Sequence, residues 1–509
     1  MVHSRYVGGV TAVIALLLLT TGGGVRAQQP ATLSLQEAVS LARKNNPDYL
    51  SQLNNEGDAA WAVREAYGAL LPSAAVNGGL QYQASGPALV GSFTGTDLGI
   101  GRNTPSYYFS NYSVGLSYRL SGSTLLNVRR QRASRRATYA TVEAAALSLE
   151  TAVKGQYLAV LRARDAVDLA QQELQSAEQN MKLAEARVSV GSAIELEAQQ
   201  AEVARGRAQV SLLQAQTQLK GTKLQLMQQI GVELDSDVKL TTEFPVFEPQ
   251  WSTDALVKMA LASHPQLRAA EATSDAAAAG VRMAKSAYFP SLSLSAGWSG
   301  FTRQVGDSQY LIDQARNSMQ SSRESCQLLR DVGTLFATRP AWAPADCSSL
   351  VLTQAQEQQI LDNNKVWPFQ FEQQPFSASL QISLPIFQGL SRHRQVEAAR
   401  VAKEDADYRL RAERLQLKTE VQSANLSVQA AYQAVGMEKR NREVADKQLL
   451  LAREQYRVGS SSFVDLMQAE TLKARADQSY LLAVYAYQDA LSTLESAIGQ
   501  PLRDEGSAR

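Results

Sequence analysis

Two cysteines, Cys326 and Cys347, and three histidines, His3, His264 and His393, are all that 509 residues hold of the side chains that dominate metal centres and thiol chemistry. The histidines lie far apart, so no cluster at metal-ligand spacing can be drawn from them. Neither sign of charge is in excess: 50 Lys and Arg stand against 49 Asp and Glu, a net charge of +1. That excludes the basic footprint of a nucleic-acid binder and the long charged block of a disordered tail. Aromatic residues make up only 7% of the chain, too few for a thick globular core. No Ser/His/Asp grouping and no Gly-rich phosphate loop stands out. An enzyme and a resident cofactor are therefore not expected.

Long apolar runs are also missing, with one exception. Arg5 precedes an apolar stretch from Val7 to Leu19, and Val25-Arg26-Ala27 is a small-residue site before Gln28. This predicts a secretory signal over 1–27, cleaved between Ala27 and Gln28, rather than a membrane anchor, because the run is short for a span.

What the chain has in quantity is heptad periodicity. From Val142, steps of four and three visit Ala146, Leu149, Val153, Gln156, Val160, Ala163, Val167, Ala170, Leu174, Ala177, Met181, Ala184 and Val188. Gln156 alone is polar. A 3.5-residue apolar repeat holds one seam of a helix against a partner, as in a coiled coil. At about 1.5 Å per residue the segment is roughly 70 Å long. Adding 268 to each position from Leu149 gives Leu417, Val421, Ala424, Val428, Ala431, Val435, Glu438, Arg442, Ala445, Leu449, Ala452 and Tyr456, again mostly apolar. Two long helices in matching register point to a duplication.

The elements around them repeat as well. Ser34 and Ser252 each start a short helix, Ser34 with Glu37 in capping-box spacing. Asn46-Pro47 and His264-Pro265 match at an offset of 218, as do Leu71-Pro72-Ser73 and Phe289-Pro290-Ser291. Strand alternation follows each: Ala74, Val76, Gly78, Leu80, Tyr82 in the first copy and Leu292, Leu294, Ala296, Trp298 in the second. A second strand carries Tyr112, Val114, Leu116, Tyr118, Leu120, matched by Phe376, Ala378, Leu380, Ile382, Leu384 at an offset of 264. The rise from 218 to 264 places a 46-residue insertion between the strands of the second copy, within about 302–375. A helix from about Ile194 closes at Ile230-Gly231, and Ile498-Gly499 closes the second copy in the same way at an offset of 268. The expected organisation is a short segment 28–32, a first repeat 33–233, a linker 234–251, a second repeat 252–501 and a tail 502–509.

Each repeat thus offers two strands of about ten residues, long enough to cross a bilayer at a tilt. One face is apolar; the other is Ser, Gln, Asn and Gly, which fits a barrel with a wet lumen. A soluble sandwich strand would show the same alternation. Four strands cannot close a membrane barrel, since the smallest use about eight. Spanning strands would therefore require several chains.

At this point the mature chain, from about Leu33 to Pro501, resembles the TolC-like outer-membrane factors of Gram-negative export systems. The strand pairs carry the resemblance together with two helix-turn-helix tips. These read Arg187-Val188-Ser189-Val190-Gly191-Ser192 and Tyr456-Arg457-Val458-Gly459-Ser460-Ser461, followed by Gln200-Ala201-Glu202 and Gln468-Ala469-Glu470. The resemblance implies an α+β, mostly α fold of two tandem repeats. It implies a homotrimer whose chains give four strands each to one transmembrane β-barrel, continued by a periplasmic coiled-coil barrel. It also implies docking of the tips, with Val190, Gly191, Ser192, Val458, Gly459 and Ser460 as contact candidates, onto a periplasmic adaptor protein fed by an inner-membrane pump of the RND or ABC type.

In the family an aspartate just inside the second tip lines the constriction. Asp465 occupies that position, and Gln468 stands where the family's channel-forming representative has a second Asp. At an offset of 268 Glu197 faces Asp465 from the first repeat, so a trimer would present up to six carboxylates that favour cations. A capping role is open beside this one: Ser462-x-x-Asp465 and Ser192-x-x-Glu195 both have capping-box spacing. Under the same topology the insertion faces the cell exterior, where an even cysteine count favours a Cys326–Cys347 disulfide. Its expected job is to shield the outer mouth or to touch something outside. The function expected is a passive outer-membrane duct for efflux or type I secretion, bounded by outer-membrane lipid. The alternative is a surface-exposed structural or adhesive coiled-coil trimer without channel activity.

Overall fold

A computed structural model describes residues 32–87, 89–90, 93–94, 103–233 and 238–502. The expected cleavage site at Ala27 and Gln28 lies outside them. Two compact units share the long helices: one gathers the chain up to Trp61 with 133–277 and 402 onward, the other 62–132 and 278–401.

The first unit is helical. Helix α1 (Leu35–Asn45) starts at Ser34, which forms the expected capping box with Glu37, and α2 (Pro47–Gly68) follows at once. Helices α3 (Gly122–Ser189) and α4 (Glu195–Ile230) form the first long hairpin. Helices α5 (Thr253–Ser263) and α6 (Pro265–Lys285) repeat the opening pair. The second long hairpin is α9 (Ser391–Arg457) and α10 (Phe463–Ile498), numbered after two helices of the insertion. None of the seam positions read from the sequence on α3 or α9 is exposed. Gln156 is the polar member, and its amide donates to the Thr222 carbonyl at 3.2 Å and to Gln225 Oε1 at 3.2 Å, tying α3 to α4.

The duplication shows in the way each hairpin closes. Gly231 and Gly499 end α4 and α10 at φ +81° and +75°, the left-handed region where a Cβ is penalised. A Cβ on Gly231 would also lie 2.5 Å from the Asn45 carbonyl. Asn46 donates to the Gln229 carbonyl at 2.8 Å, and His264 lies 3.1 Å from the Ser496 carbonyl through Nε2. His264 is thus a buried packing residue. Strands β1 (Thr32–Leu33) and β4 (Lys239–Leu240, numbered in chain order) pair in parallel over Tyr157. Its buried hydroxyl donates to the Leu33 carbonyl at 2.8 Å and accepts from the amides of Thr241 and Thr242. No helix among the described residues is long and apolar enough to cross a membrane.

The second unit is built on an antiparallel sheet of β2 (Ser73–Gln83), β3 (Tyr107–Leu120), β5 (Ser291–Val305) and β7 (Ser377–Ser383), in that order. A two-residue strand, β6 (Glu372–Gln373), also pairs with β5. Strand β5 runs seven residues beyond Trp298, because the top of β3 continues to pair with it as far as Tyr107↔Val305. Directly opposed residues share a face. Val76↔Val114↔Trp298 and Leu294↔Leu380 therefore lie on one side, and Asn77↔Ser113↔Ser299 and Ser293↔Gln381 on the other. Every residue of β2 and β7 is exposed, and neither strand has a second neighbour among the described residues.

The insertion is more structured than a loop. It contains α7 (Ser308–Gly333) and α8 (Gln354–Asn363), joined by an Arg316–Glu357 ion pair at 2.7 Å. The Cys326–Cys347 disulfide is formed.

Candidate functional site: the paired helix tips

At the first tip α3 ends in a left-handed glycine. Gly191 has φ +72°, and the Ser192 amide donates back to the Arg187 carbonyl at 2.8 Å. The second tip repeats this: Gly459 has φ +81° and the Ser460 amide donates to the Gln455 carbonyl at 2.9 Å. These reversed turns satisfy the last carbonyls of each long helix. All six contact candidates are exposed, with Val190 at 76% and Val458 at 66%. Two apolar side chains are thus held in water on rigid turns.

The tips differ at the start of the returning helix. Ser462 caps α10 in a full capping box: its amide donates to Asp465 Oδ2 at 3.0 Å, and the Asp465 amide donates to Ser462 Oγ at 3.2 Å. The Ser462 hydroxyl, then its amide, hold the Asp465 carboxyl below the usual carboxylate range. The expected Ser192–Glu195 capping box does not form. Ser192 is spent on closing α3, its hydroxyl donating to the Arg187 carbonyl. The N-cap of α4 is instead Ile194, which has no side-chain oxygen to offer. Ile194 is also the residue 268 positions before Ser462, so only one of the two matched positions carries a capping side chain.

Glu197, the counterpart of Asp465, therefore has no capping bond to make and reaches across the tip. Its carboxylate accepts the Tyr456 hydroxyl at 2.8 Å. Tyr456 is fully buried, and burial, then the bond to Glu197, push its hydroxyl up to about 12. The Arg187 guanidinium lies 4.3 Å from the Tyr456 ring centroid and donates to the Tyr456 carbonyl at 2.7 Å and the Ser192 carbonyl at 3.1 Å. Phe463 packs on the other side of Tyr456, 5.5 Å between centroids. Ala184, Ala201, Leu449 and Leu466 complete one core shared by all four helices. Arg187 and Tyr456 join the two tips, a contact that the sequence does not announce. Each opens one of the quoted tip motifs, but they are 269 positions apart and no local pattern joins them. Asp465 and Gln468 are exposed, and Glu197 is half-buried.

Above the tips a polar network crosses the helices. Glu470 accepts from Arg453 at 2.7 Å, Asn180 at 2.8 Å and Ser176 at 3.0 Å. Arg442 donates to Asp477 at 2.8 Å, and Lys473 pairs with both Asp446 and Asp477. Glu173 adds one more carboxylate. Burial pushes its pKa up, and Asp477 and Glu470 push it further against the pull of Lys473. A carboxyl raised in the folded state contributes most at low pH and loses that contribution as pH rises through its folded pKa. Glu173→Gln is therefore expected to raise the thermal midpoint at neutral pH. The gain should fade to nothing by about pH 4, near the ordinary carboxylate value. Thermal scans of both proteins across that range check the sign.

Two edges of the helical unit remain unpartnered. Along α4, Leu196, Val203, Val210 and Leu224 are 54–65% exposed, at spacings of seven and fourteen. Along α9, Met437, Val444 and Leu451 are 55–60% exposed, seven apart. Seven-residue apolar spacing is the repeat of a coiled-coil seam, and these two seams face solvent in the single chain.

The sequence profile of the outer membrane efflux protein family matches residues 38–232, 256–326 and 352–500. No curated protein matches. Among solved structures, the CmeC outer membrane channel of Campylobacter jejuni superposes with a TM-score of 0.67 at 16% identity, covering 92% of this chain and 87% of that one. The outer membrane protein VceC of Vibrio cholerae gives 0.64 at 15%, covering 92% and 97%. The open-state MtrE outer membrane channel of Neisseria gonorrhoeae gives 0.64 at 19%, covering 92% and 89%.

Proposed function

The chain belongs to the outer membrane efflux protein family, and from that premise we propose that it is the passive outer-membrane duct of a tripartite export system. It takes substrate from an inner-membrane pump, of the RND or ABC type, through a periplasmic adaptor. The observation that carries this reading is the sheet. Four strands present an apolar face, with Val76 77%, Trp298 57% and Ile382 71% exposed, and among the described residues they end in two unpaired edges. Unpaired strand edges are not tolerated in lipid, so β2 and β7 need neighbours from other copies. Three chains of four strands would close such a wall, and the solvent-facing seams on α4 and α9 would meet between the same copies.

The polar sheet face then lines the lumen, with Asn77, Ser113, Ser299 and Gln381 offering hydroxyls and amides but little charge. Selectivity falls to the tips, where the paired turns form the mouth that docks the adaptor. Asp465 can cap α10 and face the pore together, because its capping bonds leave the carboxylate ionised and exposed. Glu197 is half-buried and bonded to the Tyr456 hydroxyl, so it is less open to the pore than Asp465. Gln468 adds no charge.

Single-channel recording of the detergent-extracted, heat-modifiable oligomer in a planar bilayer tests the duct. A trimer that does not conduct would favour a structural surface protein. Asp465→Asn is expected to lower cation selectivity and weaken block by divalent cations. Unchanged selectivity and block would remove Asp465 from the constriction.

A further inference from the structure

The apolar face of the sheet carries one polar spot, and it is covered. Ser110 and Thr302 are directly opposed on the same face as Val114 and Trp298. Those apolar neighbours are 40% and 57% exposed, yet Ser110 is 1% and Thr302 2% exposed. The cover is the last stretch of the insertion, residues 364–371. The Ser110 hydroxyl donates to the Pro368 carbonyl at 2.6 Å and shares a 2.7 Å hydrogen bond with Thr302. The Trp367 amide donates to Gln304 Oε1 at 3.1 Å, and Asn364 bonds both backbone groups of Val305 at 2.8 Å. Two rings of the strap meet rings on the sheet. Trp367 lies 5.4 Å from Tyr108, which lies 5.0 Å from Tyr82, and Phe371 meets Tyr112 edge-on at 4.8 Å. Phe369 touches none of this and is 77% exposed.

We infer that this strap is a membrane-interface anchor: Phe369 and Trp367 sit at the boundary between headgroups and acyl chains of outer-leaflet lipid. Three observations select lipid as the occupant. The strap lies on the apolar face, which continues unbroken from Val76, Val114 and Leu380 up to the row of rings. Tyr and Trp gather at that depth of a membrane barrel because each has an apolar body and a polar tip. The strap also crosses β3 and β5, the two inner strands, rather than β2 or β7, where another copy would sit. Its carbonyl accepts the Ser110 proton, so the Ser110–Thr302 pair is capped by the chain itself and not left facing the membrane. The base of the insertion is thereby fixed to the outer flank of the wall. The opposite face at this level is occupied by its own contacts, Phe109 with Phe301 and Arg303 over Tyr107.

The inference rests on the reading of the sheet as a membrane wall, and the test separates the two. Both native cysteines are in the disulfide, so Phe369→Cys gives a single thiol for a bimane label, and Ile382→Cys gives another in the middle of the apolar face. Labelled trimers, verified by heat-modifiable migration, are placed in vesicles whose phospholipids carry a nitroxide near the headgroup or near the chain end. The label at 369 is expected to be quenched at least about threefold more by the shallow nitroxide than by the deep one, and the label at 382 chiefly by the deep one. If 382 responds while 369 is quenched only by aqueous iodide, the strap faces water and the inference fails. If 382 responds while 369 is shielded from both lipid and iodide, a second copy covers the strap and the inference also fails. If neither label responds to lipid, the wall reading fails with it. Gln370→Cys, also exposed, serves if the substitution at 369 does not assemble.

Discussion

Val210→Glu is expected to leave the chain folded and to abolish its assembly. Val210 is 55% exposed in the middle of α4, so a single chain loses almost no packing when it is replaced. Glu is also a better helix former than Val. The same position is one rung of the solvent-facing seam that runs from Leu196 to Leu224. Docked on the row Met437, Val444, Leu451 of another copy, a glutamate would lie among apolar side chains with no partner. Leaving one charge uncompensated in such a site costs on the order of 3–5 kcal/mol, and a closed trimer repeats that cost at every junction. The expected result is retention of helical circular dichroism with loss of the heat-modifiable oligomer and of conductance. Val210→Leu should preserve all three, and Val444→Glu on the opposing seam should reproduce the loss. A Val210→Glu trimer that survives extraction like the parent would mean that the α4 seam faces water in the assembled protein.

This contrast between single chain and assembly also explains how much the sequence could disclose. The seams of α3 and α9 were legible because a heptad is a local property, repeated through helices of 68 and 67 residues. The tip glycines were legible for a similar reason, since a chain reversal between two long helices calls for a left-handed residue. The two faces of the sheet followed from strand alternation, except that Gly300 and Thr302 hid the upper half of β5. Tyr112 lies over Gly300, where a Cβ would come within 2.4 Å of its ring. Long-range pairings left no local mark. Nothing near Ser110 announces Pro368, 258 residues away, and nothing near Arg187 announces Tyr456. Helix α7 lies in the insertion, outside the duplicated pattern, so no matching register in the other half pointed to it. Ser192 shows a further limit, because one serine cannot both close α3 and cap α4, and spacing alone does not say which bond forms.

Lys154→Met is expected to destabilise the helical unit strongly. Lys154 on α3 and Glu495 on α10 form an ion pair with only 15% and 6% of their side chains exposed. The same carboxylate accepts the Leu502 amide at 3.1 Å, fastening the last described turn of chain, and Thr151 donates to Ser496 beside it at 3.0 Å. Burying both charges costs nearly as much as their attraction returns, so the intact pair is worth little over an apolar substitute. Removing only the lysine takes away the cation that balances a carboxylate buried on α10, and such broken pairs typically cost about 3–5 kcal/mol. Replacing both, as in Lys154→Met with Glu495→Leu, should recover most of that loss, less about 1–3 kcal/mol for the orphaned Leu502 amide. Urea unfolding of the extracted protein, followed by circular dichroism, gives the three midpoints. A double variant no more stable than Lys154→Met would show that the cost lies in lost packing of the lysine stem rather than in the stranded carboxylate.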